Sequence, residues 1–107
     1  MPRIYVVNKG GHDLSAALKY GGPLIFMTDG SVNRFAVANM YRKFAEVLSE
    51  SEPEDFILLT GLANMGAIAC ATFGYIHGRL NLLIFKDGRY ISRTIVLSEL
   101  AQRREIQ

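Results

Sequence analysis

Three short runs of continuously apolar residues, each ending at a junction rich in glycine and polar side chains, constrain this chain more than any other feature. They are Ile4-Tyr5-Val6-Val7 ending at Asn8, Leu24-Ile25-Phe26-Met27 ending at Thr28-Asp29-Gly30, and the apolar centre of Asp55 to Thr60. Runs this short and this uniformly apolar read as strands buried on both faces, as in a parallel sheet covered by helices. Helical patterns separate them. His12 to Tyr20 reads as a short helix stopped by Gly21-Gly22-Pro23. Val37, Met40, Tyr41, Phe44, Val47 and Leu48 then recur at helical spacing, with Asn39, Arg42, Lys43, Glu46 and Glu50 on the other side. Ser31 or Asn33 is the expected cap of that helix, and Ser51-Glu52-Pro53 its expected end.

Residues 62–77 predict a helix that is apolar nearly all round, with Gly66, Cys70 and Gly74 spaced four apart and Gly78 as its C-cap. Arg79 to Phe85 reads as a fourth strand, Asp87-Gly88 as a type I′ hairpin turn, and Tyr90 to Leu97 as an alternating, partly exposed edge strand. The order β-α-β-α-β-α-β-β predicts one α/β domain over residues 1–107, three-layered and Rossmann-like. Its sheet is expected to be mainly parallel, in the order 2-1-3-4-5, with a C-terminal antiparallel hairpin. A polar tail is expected over residues 98–107.

Composition bounds the partners. Half of the 107 residues are hydrophobic and 21% are charged, so some apolar surface is expected in a subunit interface, making a homo-oligomer. The net charge of +2 supplies no field that calls for a nucleic acid. Arg79, Lys86, Arg89 and Arg93 around Tyr90 read as protection of an edge strand, so nucleic acid is not an expected partner. The single cysteine, Cys70, excludes an intrachain disulfide and reads as a buried thiol in a reducing, cytoplasmic setting. A strand beginning within the first residues leaves no room for a secretory leader, and no apolar run is long enough to span a membrane.

In a parallel sheet the carboxyl ends of the first three strands share one edge, and the junctions leaving them carry the chemistry. The first brings Asn8, Lys9, Gly10, Gly11, His12 and Asp13; the second brings Thr28, Asp29, Ser31, Asn33 and Arg34; the third brings Thr60 and Asn64. Ligands of doubly wound sheets bind at this edge, and helix amino termini there favour an anion. Lys9 and Arg34 are the cations available to phosphate, with the Gly10 and Gly11 backbone able to approach it closely. Asp29 reads either as a partner of a ribose hydroxyl or as a brace for Arg34. No metal spacing, phosphate-loop spacing or nucleophile motif is present, and no cofactor is expected. If the chain were an enzyme, His12 would be its acid or base. Asp13 follows His12 directly; as helix neighbours the two would diverge, so Asp13 reads as complementing the helix amino terminus.

Leu58 to Ala67, Leu-Leu-Thr-Gly-Leu-Ala-Asn-Met-Gly-Ala, resembles the strand-Thr-Gly-helix junction of CARF domains, which bind cyclic oligonucleotides. Leu62 and Ala63 stand where that motif carries other features, so no residue role follows. The segments Pro2 to Asp13 and Gly78 to Tyr90 resemble small uncharacterised proteins of tailed bacteriophages. That resemblance implies a viral protein in the host cytoplasm. The first expectation is a binding module that holds a nucleotide-like anion at the strand ends, for instance to sequester a host signalling nucleotide. The alternatives are an assembly protein joining subunits through helix 62–77 and strand 90–97, and a phosphoesterase using His12.

Overall fold

The computed structural model describes residues 1–100. Its sheet has five strands: β1 (Ile4–Val6), β2 (Leu24–Phe26), β3 (Phe56–Leu58), β4 (Arg79–Lys86) and β5 (Arg89–Val96). They lie in the order β2-β1-β3-β4-β5, as the sequence predicts, parallel except for the antiparallel β4–β5 pair. Helix α1 (Val37–Leu48) precedes β3, and α2 (Ala63–His77) precedes β4.

Side-chain alternation sorts the core into two halves. Tyr5, Val7 and Ile57 point to one face, where Met40, Phe44 and Leu48 of α1 and Met65, Ala69 and Phe73 of α2 cover them. Ile4, Val6 and Leu58 point to the other, against Leu83, Tyr90, Leu14 and Ala17. Burial on both faces therefore holds for β1. It fails for β2, the edge strand, where Leu24 and Ile25 are half-buried and Phe26 is exposed.

The second face departs from expectation, because His12 to Tyr20 is not an α-helix. Only Ser15–Lys19 is helical, as a 3-10 turn that buries Ala17. From His12 to Lys19 only Leu14 and Ala17 are buried, too few to hold a longer helix, and 3-10 geometry suits a short segment. Helix α1 also starts and ends differently. Ala36 is its N-cap, with no side-chain cap, while Asn33 Oδ1 accepts the Phe35 N–H at 3.0 Å in a preceding turn. The helix stops at Leu48, before Ser51, because the Ser49 and Ser51 hydroxyls donate to the carbonyls of Glu46 (2.7 Å) and Leu48 (2.6 Å). With its proton directed at Leu48, the Ser51 oxygen accepts from His77 Nε2 at 2.8 Å, tying the end of α1 to the last turn of α2.

Gly78 adopts the expected left-handed C-cap, and Asp87 and Gly88 have φ of 53° and 81°, as a type I′ turn requires. Leu97 to Leu100 are helical; the remainder of the expected polar tail, 101–107, lies outside the described residues. Asp55 organises the amino end of the sheet. Its buried carboxylate accepts the N–H of Arg3 and of Glu52, each at 2.8 Å, and lies 3.5 Å from Arg3 Nε. Asp55→Ala would leave those two donors without an acceptor, a cost of about 2–4 kcal/mol. The expected result is a lower urea midpoint with an unchanged slope in equilibrium unfolding.

Candidate functional site

The first strand continues as an extended segment to Asn8, which sits at the centre of the carboxyl edge. Its side-chain amide donates to Thr28 Oγ1 (2.8 Å) and to the Gly30 carbonyl (3.0 Å). Its backbone exchanges two bonds with Thr60, accepting from Oγ1 at 2.7 Å and donating to it at 3.0 Å. Thr28 Oγ1 in turn donates to the Val7 carbonyl at 2.7 Å. Thr28 and Thr60 are thus each hydrogen-bonded to Asn8, and the three, all expected at the site, hold the ends of β1, β2 and β3 together.

Gly61 completes this cluster. It has a φ of 84°, and a Cβ there would lie 2.7 Å from Met65 Cε and 3.0 Å from Asn8 Cβ.

The other expected residues fall into separate hollows along the edge. His12, Asp13 and Thr60 line a crevice of 360 Å³ together with Leu59, Phe85 and Tyr90. Lys9, Gly10, His12 and Asp13 line an adjoining hollow of 320 Å³. Thr28, Asp29, Ser31 and Asn33 border a third, of 250 Å³, beside Lys43 of α1. Arg34 is exposed with its guanidinium 5.4 Å from the Phe35 ring centroid, and its carbonyl accepts from Asn64 Nδ2 at 2.6 Å. Lys9 and Arg34 therefore do not share a hollow. Lys9 lies over the ring of Phe26, with Nζ 5.3 Å from the centroid.

Because His12 and Asp13 sit in a loop and not in a helix, they are not forced apart and both face the same crevice. Asp13 Oδ1 accepts the Ser15 N–H at 2.9 Å, in a local turn just before the 3-10 segment, whose N-cap is Leu14. That backbone donor, joined by the Ser15 side chain, holds the Asp13 carboxyl below its ordinary 3.8. Burial, with the Asp13 charge nearby, pushes the Tyr90 phenol up, so it stays protonated and can donate. The N–H groups of Gly10, Gly11, His12 and Asp13 donate no hydrogen bond among the described residues.

Phe85, Tyr90 and Leu59 escape a reading of strand-end junctions. Phe85 and Tyr90 pair across the hairpin with ring centroids 5.4 Å apart. They reach the edge because Leu58, the last residue of β3, is in register with Leu83, so β4 runs on past it. The flanking Asp87-Gly88 turn was the available signal. Cys70 is half-buried, not buried, and lines a 420 Å³ groove along α2; burial pushes its thiol up. Among the described residues no group of His, Cys, Asp and Glu is placed to hold a metal, and no helix is long and apolar enough to cross a membrane.

These features define a small α/β protein with a mixed sheet and a crevice between the carboxyl ends of β1 and β3. Over residues 2–97 the chain matches the model of the phage Pam3 gp32-like proteins, and it belongs to that phage protein family. No curated protein and no solved structure matches it.

Two stability effects follow. Asn8→Ala removes two side-chain bonds from a buried cluster and should cost about 1–3 kcal/mol, read as a lower urea midpoint. A carboxyl depressed in the folded state stabilises above its ordinary value and loses that contribution as pH falls through the folded one. Acid unfolding below 3.8 should therefore include a component that is absent in Asp13→Ala.

Proposed function

We propose that this chain is a small ligand-binding module that holds a phosphate-bearing ligand at the carboxyl edge, in the Rossmann-like manner of doubly wound sheets. The observation that carries this reading is the place of the 360 Å³ crevice. The connection leaving β1 goes to the 3-10 face, whereas the one leaving β3 goes to the face covered by α2. The crevice opens between those two departures, which is where ligands of sheets with this strand order bind. Free N–H groups from Gly10 to Asp13 and the Lys9 ammonium supply the anion's partners. Asn8, Thr28 and Thr60 shape the site through the backbone, while Arg34 and Asn64 lie further along the edge. In a phage protein of the host cytoplasm, such binding without turnover would withdraw a signalling nucleotide from the host.

A second reading is assembly into a homo-oligomer, which the exposed apolar residues favour: Tyr75 of α2 is 92% exposed and Ile76 44%. A third, phosphoester cleavage, draws on His12 and Asp13 facing one crevice. Thermal unfolding with nucleotides and inorganic phosphate separates them. Binding should raise the midpoint by an amount that grows with concentration, about 2.7 kcal/mol at a hundredfold excess over Kd. Lys9→Ala should reduce the shift. Recovery of the nucleotide intact removes the cleavage reading. No shift with any anion, together with a multimeric mass in solution, would leave assembly as the function.

A further inference from the structure

The crevice and its neighbouring hollow offer a ligand two unlike surroundings, divided by His12 and Asp13, which line both. The Lys9 side has that cation and backbone N–H donors beside the apolar side chains of Leu14, Leu18, Leu24 and Phe26. Among the described residues the other side has no lysine or arginine, and its walls are apolar and aromatic. Phe85 is 60% exposed although one side of its ring meets Tyr90 edge to face, so most of the ring is uncovered. Leu59 adds a second apolar surface. The Thr60 hydroxyl is engaged with Asn8, which leaves the second oxygen of the Asp13 carboxylate, the His12 imidazole and the Tyr90 hydroxyl as the polar side-chain groups on the crevice that can meet a ligand.

We propose that this crevice takes the base of a mononucleotide, with the ring lying against Phe85 and an amino-bearing edge donating to Asp13. The inference rests on the phosphate reading above and supplies the other half of the ligand. A carboxylate accepts and never donates, so it selects N–H groups and repels phosphate. The phosphate is thereby directed across His12 to Lys9 and the Gly10 and Gly11 amides. Size narrows the class further. A 360 Å³ crevice stands near the lower end of the roughly 300–1,000 Å³ usual for ligand sites, which suits one base, with the phosphate in the adjoining hollow. An uncovered aromatic face beside a carboxylate is what an aminated ring needs, since stacking tolerates any base and the carboxylate tests for the donor.

Calorimetric titration with inorganic phosphate, adenosine, inosine and adenosine monophosphate tests this. Adenosine should bind without its phosphate, and the monophosphate more tightly than either adenosine or phosphate. Phe85→Ala should weaken adenosine about tenfold while leaving phosphate unchanged. Because Phe85 is largely exposed, that variant should fold. Asp13→Asn keeps an acceptor for the Ser15 N–H, and it should weaken adenosine more than inosine, which lacks the amino group. If phosphate binds but adenosine does not, or if Phe85→Ala binds adenosine as the native chain does, the base subsite is wrong and the anion reading survives. If adenosine binds while phosphate has no effect with or without Lys9, the anion reading is wrong and the base subsite survives. No heat from any of them overturns both.

Discussion

Asn8 is where the three short parallel strands are held together. β1, β2 and β3 are each three residues long, so their ladders alone contribute few hydrogen bonds. The Asn8 side chain spans to Thr28 and Gly30 on one side, and its backbone grips Thr60 on the other. Each such bond is worth only about 1 kcal/mol net, but the groups are largely buried and would be costly to leave unpaired. The cluster thereby fixes where three loops begin. Gly61, the 9–13 loop and the backbone bridge of Lys9 with Asp29 all take their positions from it.

The strand order and both α-helices were legible because they depend on periodicity and on continuous apolar runs, which local sequence carries in full. The 3-10 turn was not. Leu14 and Ala17 are the only residues from His12 to Lys19 that reach the core, too few to distinguish one helical turn from two or three. The start of α1 is not legible because Asn33 can satisfy a backbone donor in more than one way. Here it closes a turn onto Phe35 instead of capping the helix. For the site, the three junctions were legible, since strand ends locate them. Which polar groups remain available was not, because the engagement of Asn8, Thr28 and Thr60 depends on strands far apart in sequence.

The unequal cover of the two faces explains why an opening exists at the β1–β3 end. Two α-helices seal one face, whereas among the described residues the other carries only the five-residue 3-10 turn, which Tyr20 Oη anchors to the Tyr90 carbonyl at 2.7 Å. A full helix beginning at His12 would turn His12 and Asp13 to different sides. The shorter turn keeps both side chains on the crevice, and the N–H groups of residues 10–13 donate no hydrogen bond among the described residues. The same shortening that weakens the second core half therefore creates the polar lining.

The long β4–β5 hairpin supplies what the short strands cannot. Its eight-residue strands extend beyond the three-residue strand beside them, and the overhang carries Phe85 and Tyr90 to the mouth of the crevice. The resulting surface has the Lys9 cation on the β1 side and the Phe85 and Tyr90 rings on the β4 side, and Asp13 lines both hollows. That arrangement disfavours a ligand that is anionic throughout, because such a ligand would meet Asp13 wherever it met Phe85. It matches the proposed ligand, whose charge is confined to one end and whose other end is flat and rich in donors. For the proposed ligand, the order of charges along the crevice matters more than the number of cations near it.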